Sequence, residues 1–365
     1  MSSLFRTPTT PAQHRYMVHL RQGDPPADAV AAALMAGSVS HEAVEAMLHG
    51  GPAPGVLADY RDVLTPPLWV DEKRQRIGCA ALQRTGLLGG LVLSLYCLPL
   101  GYLSPAGVKP LVLSGRLLER AARRLSETNR FLMAVTRPGG MVPGSEGFCI
   151  TGRVRIMHAV MRLRLADRWD DAWGTPINQA HMAATNLLFS WHAIDGLRKL
   201  GVRFSAAEVD GYLHLWRHVG YTMGVDSDLL CATEADARGL WRIVRSMEGA
   251  PDAHCRELAA ALVGAAVPRG LTAFTGRDFS EPRLVSALFR LSTVLLGAEQ
   301  ARALGYEAQP RALVMGPLVR GLVGGVEAVR LGVPGAEAAF LAAGARMNRR
   351  LEVAALEGRK AEFVA

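Results

Sequence analysis

A chain of 365 residues, 50% hydrophobic and 20% charged, is long enough for one large domain or two ordinary ones and too apolar to be disordered. Its 41 Lys plus Arg exceed its 33 Asp plus Glu by a net +8, but the arginines are scattered, with no basic stripe, which argues against a nucleic-acid partner. Five cysteines, Cys79, Cys97, Cys149, Cys231 and Cys255, are an odd number with no CxxC pair, which argues against a disulfide framework or a zinc ribbon, and buried thiols are expected.

The hydrophobic residues are mostly Leu, Ala and Val repeating at helical period, so the fold class expected is all-α. Residues 1–68 read as a peripheral N-terminal arm with short helices at 28–35 and 41–48. The start, Met1 to Pro8, has no apolar core of a signal, so a cytoplasmic location is expected. Breakers at Gly51-Pro52-Ala53-Pro54-Gly55 and Pro66-Pro67 set this arm off from a central domain, 69–310, and a C-terminal helical extension, 311–365. Residues 86–108 carry no charge over 23 positions, enough to cross a bilayer. Pro99, Pro105 and paired glycines break the stretch, so it is expected in the protein core, with peripheral membrane contact the minority reading.

In the helix expected over 114–135, Leu117, Ala121, Leu125, Leu132 and Val135 share the inward stripe. Thr128 lies within that stripe and Arg124 at its edge, while Glu127 points further out. Pro138-Gly139-Gly140 and Pro143-Gly144 then turn the chain into the helix Gly152 to Arg164. At about 100° per residue, Arg155, His158 and Arg162 fall within about 60° of one another on an otherwise apolar helix. Buried guanidinium groups need an anion beside them.

Residues 176–194 carry no formal charge but many hydrogen-bonding groups, and form a buried polar helix by this pattern. A further helix over 211–224 holds His214 and His218 at i, i+4, a spacing that can ligate one metal but more often marks packing histidines. In 282–303 Arg290 sits among leucines as a third inward arginine. There is no GxGxxG after a strand, no GxxxxGK[ST], no HExxH and no GxSxG, so nucleotide folds, zincins and the usual hydrolase elbow have no support. A single neutral imidazole on a buried helix is what a haem iron takes as proximal ligand, and haem propionates are anions that Arg155, Arg162, Arg124 and Arg290 could pair. A lone buried histidine is, however, more often a satisfied core residue.

Four motifs then act together: Arg155-x-x-His158-x-x-x-Arg162; Trp173-Gly174-x-Pro176-Ile177-Asn178-Gln179; Asp195-Gly196-Leu197-x-x-Leu200-Gly201; and Tyr212-x-x-Leu215-Trp216-Arg217-x-x-Gly220. In combination they resemble the oxygenase family of latex clearing proteins, or rubber oxygenases, and MpaB-type enzymes. The resemblance implies a globin-like helical bundle core with additional peripheral helices, holding haem b with His158 on iron. It also implies that Arg124 and Thr128 face the distal pocket, where dioxygen and an apolar alkene or isoprenoid substrate enter. Where latex clearing proteins carry a lysine just before that threonine, this chain has Glu127, so a lysine iron ligand is excluded there and an acidic base or electrostatic partner takes its place. Those relatives are secreted to reach their polymer, and no signal is seen here, which separates this chain from rubber as substrate. The resulting expectation is a haem b oxygenase with His158 on iron, Arg155, Arg162 and Arg290 on the cofactor, and Arg124, Thr128 and Glu127 in catalysis. The alternatives are a haem sensor or carrier without turnover and a non-haem metal enzyme using His214 and His218.

Overall fold

The computed structural model describes residues 4–114, 117–307 and 309–356, with the side chains of 117–124 and 351–356 outside the description. Every regular element among the described residues is helical. The one β contact among them is an isolated bridge between Phe5 and Glu248. The all-α expectation holds.

At the centre is the helix Glu146–Leu165, which packs against Pro25–Met35, Leu117–Val135 and Ala206–Thr222. Its buried residues, from Cys149 and Ile150 to Val160 and Leu165, surround the axis, as its mixed apolar pattern requires. Glu146 in its first turn complements the helix dipole and pairs with Arg130 at 3.1 Å and Arg137 at 3.2 Å. The helix Ala206–Thr222 begins in a capping box between Ser205 and Glu208. It lies against Glu72–Gln83 closely enough for backbones to touch: a Cβ on Gly78 would collide with the Tyr212 amide, and one on Gly211 with the Arg74 carbonyl.

The N-terminal region is not peripheral. Ala27, Val30 and Ala31 on Pro25–Met35 are fully buried in the main core, which places that helix beneath the central one. The uncharged stretch 86–108 is also in the core, where Val92, Leu95 and Cys97 have no exposed surface. It is broken into Leu87–Val92, a wide π turn Leu93–Cys97, and Leu98–Gly101. Pro99 explains the turn. Its ring has no N–H to donate and needs room at the carbonyl of Leu95, which instead accepts a 2.6 Å hydrogen bond from the buried hydroxyl of Ser292. A second π turn, Leu262–Ala266, precedes Pro268 in the same way. The polar stretch 176–194 divides at Ser190 into Gln179–Phe189 and Trp191–Lys199. Cys79, Cys97, Cys149 and Cys255 are free buried thiols, and Cys231 is half-buried.

Among the described residues two helices are long and apolar enough to cross a membrane, Ala253–Thr275 and Ala312–Gly332. The pair Glu72–Gln83 and Leu87–Gly101 qualifies only as a broken span, bent by 86°.

Candidate functional site

The inward stripe of the central helix meets its anions, and both come from the N-terminal region. Arg155 donates from Nε to Asp24 Oδ2 at 2.7 Å and from Nη2 to Asp24 Oδ1 at 2.9 Å, a bidentate pair whose members are each about 5% exposed. Its Nη1 donates to the Thr222 carbonyl at 3.4 Å, and the Tyr60 ring lies 5.4 Å from the guanidinium carbon. One end of the stripe is thus closed. At the other, Arg162 donates from Nε to Asp28 Oδ1 at 2.8 Å and from Nη1 to the Ile177 carbonyl at 2.6 Å. Ile177 is the one non-glycine residue with a positive φ, 49°, among the described residues, a strained conformation for a β-branched side chain. The bond from Arg162 holds that carbonyl in place.

These contacts correct the expected roles of Arg155 and Arg162. The anions that neutralise them are protein carboxylates, and the two arginines act as clamps between the helices Glu146–Leu165 and Pro25–Met35. Asp24 occupies the N-cap position of its helix but makes no capping bond, since its carboxylate is taken by Arg155. Gln179 completes the clamp: its amide donates to the carbonyls of Gly23 and Gly224 at 2.9 Å each, and its Oε1 accepts from the Asp226 amide at 2.8 Å. Gly224 is held at φ +83°, and a Cβ there would collide with both Arg155 and Asp24. Gly224→Ala is therefore expected to destabilise the fold by at least about 2 kcal/mol, from left-handed strain plus displacement of the ion pair, as read by urea unfolding.

His158 lies between the two clamps. Neither ring nitrogen has a hydrogen bond among the described residues, and Nδ1 is wholly enclosed. Burial, then the charge of Arg162, pulls its pKa down to about 4 against the opposing pull of Asp24, so the imidazole is neutral at pH 7. The side chain nevertheless keeps some accessible surface. A neutral, unpartnered imidazole of this kind has a lone pair to give to a metal or a proton donor. Two other histidines have a buried nitrogen without a partner, but each uses its second nitrogen: His192 Nδ1 lies 3.4 Å from Tyr96 Oη, and His218 Nδ1 lies 3.0 Å from Gln75.

The remaining expected site residues divide. Thr128 and Glu127 are half-buried on Leu117–Val135, the helix that packs against that of His158. The side chain of Arg124 lies outside the described residues. Arg290 turns back along its own helix, donating to the Ser286 carbonyl at 3.2 Å and hydroxyl at 3.0 Å. That helix packs chiefly on the C-terminal helices and the two π turns, and Arg290 is bonded within its own helix and not to the stripe that carries His158. His214 and His218 do not form a metal site: Nε2 of His214 accepts from the Asp71 amide at 2.9 Å, and no cluster of three ligating side chains exists among the described residues. The Trp69 ring stands edge-on to both histidines, which are packing groups.

Pattern reading missed Asp24 and Asp28, whose only local signal is an i, i+4 spacing in a proline-marked helix start. It also missed a polar group around the buried Tyr96 that ties three elements. Tyr96 Oη donates to Asp195 Oδ2 at 2.5 Å, while Lys199 Nζ donates to Tyr96 Oη at 2.7 Å and to the Leu295 carbonyl at 3.0 Å. Burial, and then Asp195, raise the Tyr96 pKa well above the usual phenol value.

An all-α fold built around a helix that carries a neutral imidazole without a hydrogen-bond partner among the described residues is the class of protein the structure defines. The chain belongs to the family described as ER-bound oxygenase mpaB/B'/Rubber oxygenase, catalytic domain, whose model matches residues 80–328. It is 25% identical over 196 residues to the rubber oxygenase of Streptomyces sp. (strain K30), a match covering 50% of this chain and 46% of that protein. The chain therefore spans about half the length of that curated relative. Its fold is similar to that of latex clearing protein LCP in the closed state, with a TM-score of 0.69 and 21% identity over 90% of this chain and 91% of the other.

Proposed function

We propose that this protein is a haem b-dependent oxygenase of an apolar alkene, isoprenoid or similar small molecule, with iron held by His158. The observation that carries the proposal is the state of that side chain: deep, neutral at pH 7, without a hydrogen-bond partner, and still bearing accessible surface. Membership of the oxygenase family supports the reaction class. When bound, haem would supply the chemistry that activates dioxygen, and His158 would be the neutral imidazole that holds its iron.

The rest of the work falls to the chain. The Asp24–Arg155 and Asp28–Arg162 pairs fix the helix on either side of His158 and so set its ring. The positive charge of Arg162 also disfavours protonation of the imidazole, keeping its lone pair available. Thr128 supplies a hydroxyl from the facing helix, and Arg124, one turn earlier, a guanidinium; in this reading they orient dioxygen and substrate. Glu127 takes the part of a base or electrostatic partner. Addition of one dioxygen across a carbon–carbon double bond, giving two carbonyl products, balances with no further reductant.

The test is an absorption spectrum of the purified protein after haem reconstitution. Wild type is expected to show a Soret band with native ligation, and His158→Ala to lose that ligation. No band in wild type, or unchanged ligation in the variant, refutes the proposal. Oxygen uptake with a terpenoid alkene separates turnover from a carrier that only binds haem.

A further inference from the structure

The helix Ala312–Gly332 is built for a surface that is not in the structure. It is 21 residues long, about 31 Å, and uncharged from Gly321 to Val326, yet only 11% of its most apolar window is buried. Leu313, Val314, Leu318, Leu322, Val326 and Val329 point outward, with Leu318 60% and Leu322 65% exposed. Soluble proteins seldom leave a continuous apolar stripe of this length to water.

Its inner face decides how the helix can meet a membrane. Glu327 and Arg330 are about 5% exposed and paired at 2.8 Å; Glu327 accepts from the Arg203 amide at 2.9 Å, and Arg330 donates to the Arg203 carbonyl at 3.2 Å. Arg84 joins the same group, 4.0 Å from Glu327 and 3.6 Å from Glu337. Arg330 also pairs with Glu337. Drawing the helix across a bilayer would break this network and strand its charges in hydrocarbon. The helix is therefore held flat against the body of the protein.

The charge beside the stripe selects the occupant. Within residues 309–350 the acids are Glu327 and Glu337, both taken by Arg330, whereas Arg311, Arg320, Arg346, Arg349 and Arg350 are exposed. The following helix, Ala336–Leu356, is in contact with this one and leaves Ala339, Ala342, Ala343 and Arg346 exposed. A second copy seated here would bring like-charged arginines together; anionic headgroups would neutralise them. We propose that Ala312–Gly332 lies in the interfacial plane of an anionic lipid bilayer, with Leu318 and Leu322 in the acyl region and the flanking arginines on the headgroups.

The experiment is flotation of the full-length protein with vesicles of phosphatidylcholine alone and of phosphatidylcholine with about 30% phosphatidylglycerol, with light scattering in parallel. Wild type is expected to float with the anionic vesicles at low salt and less so at high salt. Leu318→Glu/Leu322→Glu should reduce the bound fraction at least about tenfold. Arg311→Glu/Arg346→Glu should weaken binding to anionic vesicles alone. All these side chains are outward, so an unchanged circular dichroism spectrum is expected. Failure of wild type to float, or flotation unchanged in both variants, overturns the proposal. So does a wild-type dimer that the leucine variant converts to monomer without any vesicle binding.

Discussion

Replacing Arg155 with alanine is expected to cost about 3–5 kcal/mol of folding stability, because it leaves the Asp24 carboxylate buried without a counter-charge. That is a large share of the 5–15 kcal/mol typical of a folded domain. The bidentate geometry and the third bond to Thr222 make lysine a poor substitute: Arg155→Lys keeps the charge but loses the fork, and an intermediate loss is expected. Asp24→Ala/Arg155→Ala should recover part of the single-variant loss, since no buried charge is left behind. The exposed pair Arg74–Asp210, at 2.7 Å with side chains 42% and 50% exposed, is the control, and Arg74→Ala should cost under about 1 kcal/mol. Urea midpoints of the four variants decide the matter; a loss in Arg155→Ala no greater than that in Arg74→Ala would show that the clamp carries no load.

The same pair shows where reading from sequence stops. The stripe Arg155, His158 and Arg162 is a local pattern, set by helical geometry over eight consecutive residues, and so was visible together with its need for an anion. The anion itself is 131 positions away, in a Gly-Asp-Pro-Pro segment that reads locally as a loop. No periodicity links the two. Local pattern offers haem propionates as the anion because it gives Asp24 and Asp28 no place beside the stripe, and it groups Arg290 with them although the partner of Arg290 is one turn away on its own helix. The break at residues 93–97 had a local cause, Pro99, but the compensating hydroxyl of Ser292 is tertiary. Gln179 was legible as part of a family motif before its role was; only the fold shows it joining Gly23 to Gly224.

Acid should unfold the apoprotein well before its carboxylates titrate. Burial pulls His158 and His218 down to about 4 and His192 to about 3, from an ordinary 6.5. The native protein therefore leaves all three neutral in the window between pH 6.5 and 4, while the unfolded chain takes up a proton at each. Because the unfolded state binds more protons there, stability rises with pH across the window and falls as pH drops. Each histidine contributes a slope approaching about 1.4 kcal/mol per pH unit, on the order of 3 kcal/mol by pH 4. Together they rival the net stability of a typical domain. Urea midpoints at pH 7, 6 and 5 should fall progressively, and His158→Gln, which removes one of the three protons, should lower the slope by about a third. A flat profile from pH 7 to 5 would mean that these imidazoles take up protons in the native state as readily as in the unfolded chain, so that burial does not oppose their charging.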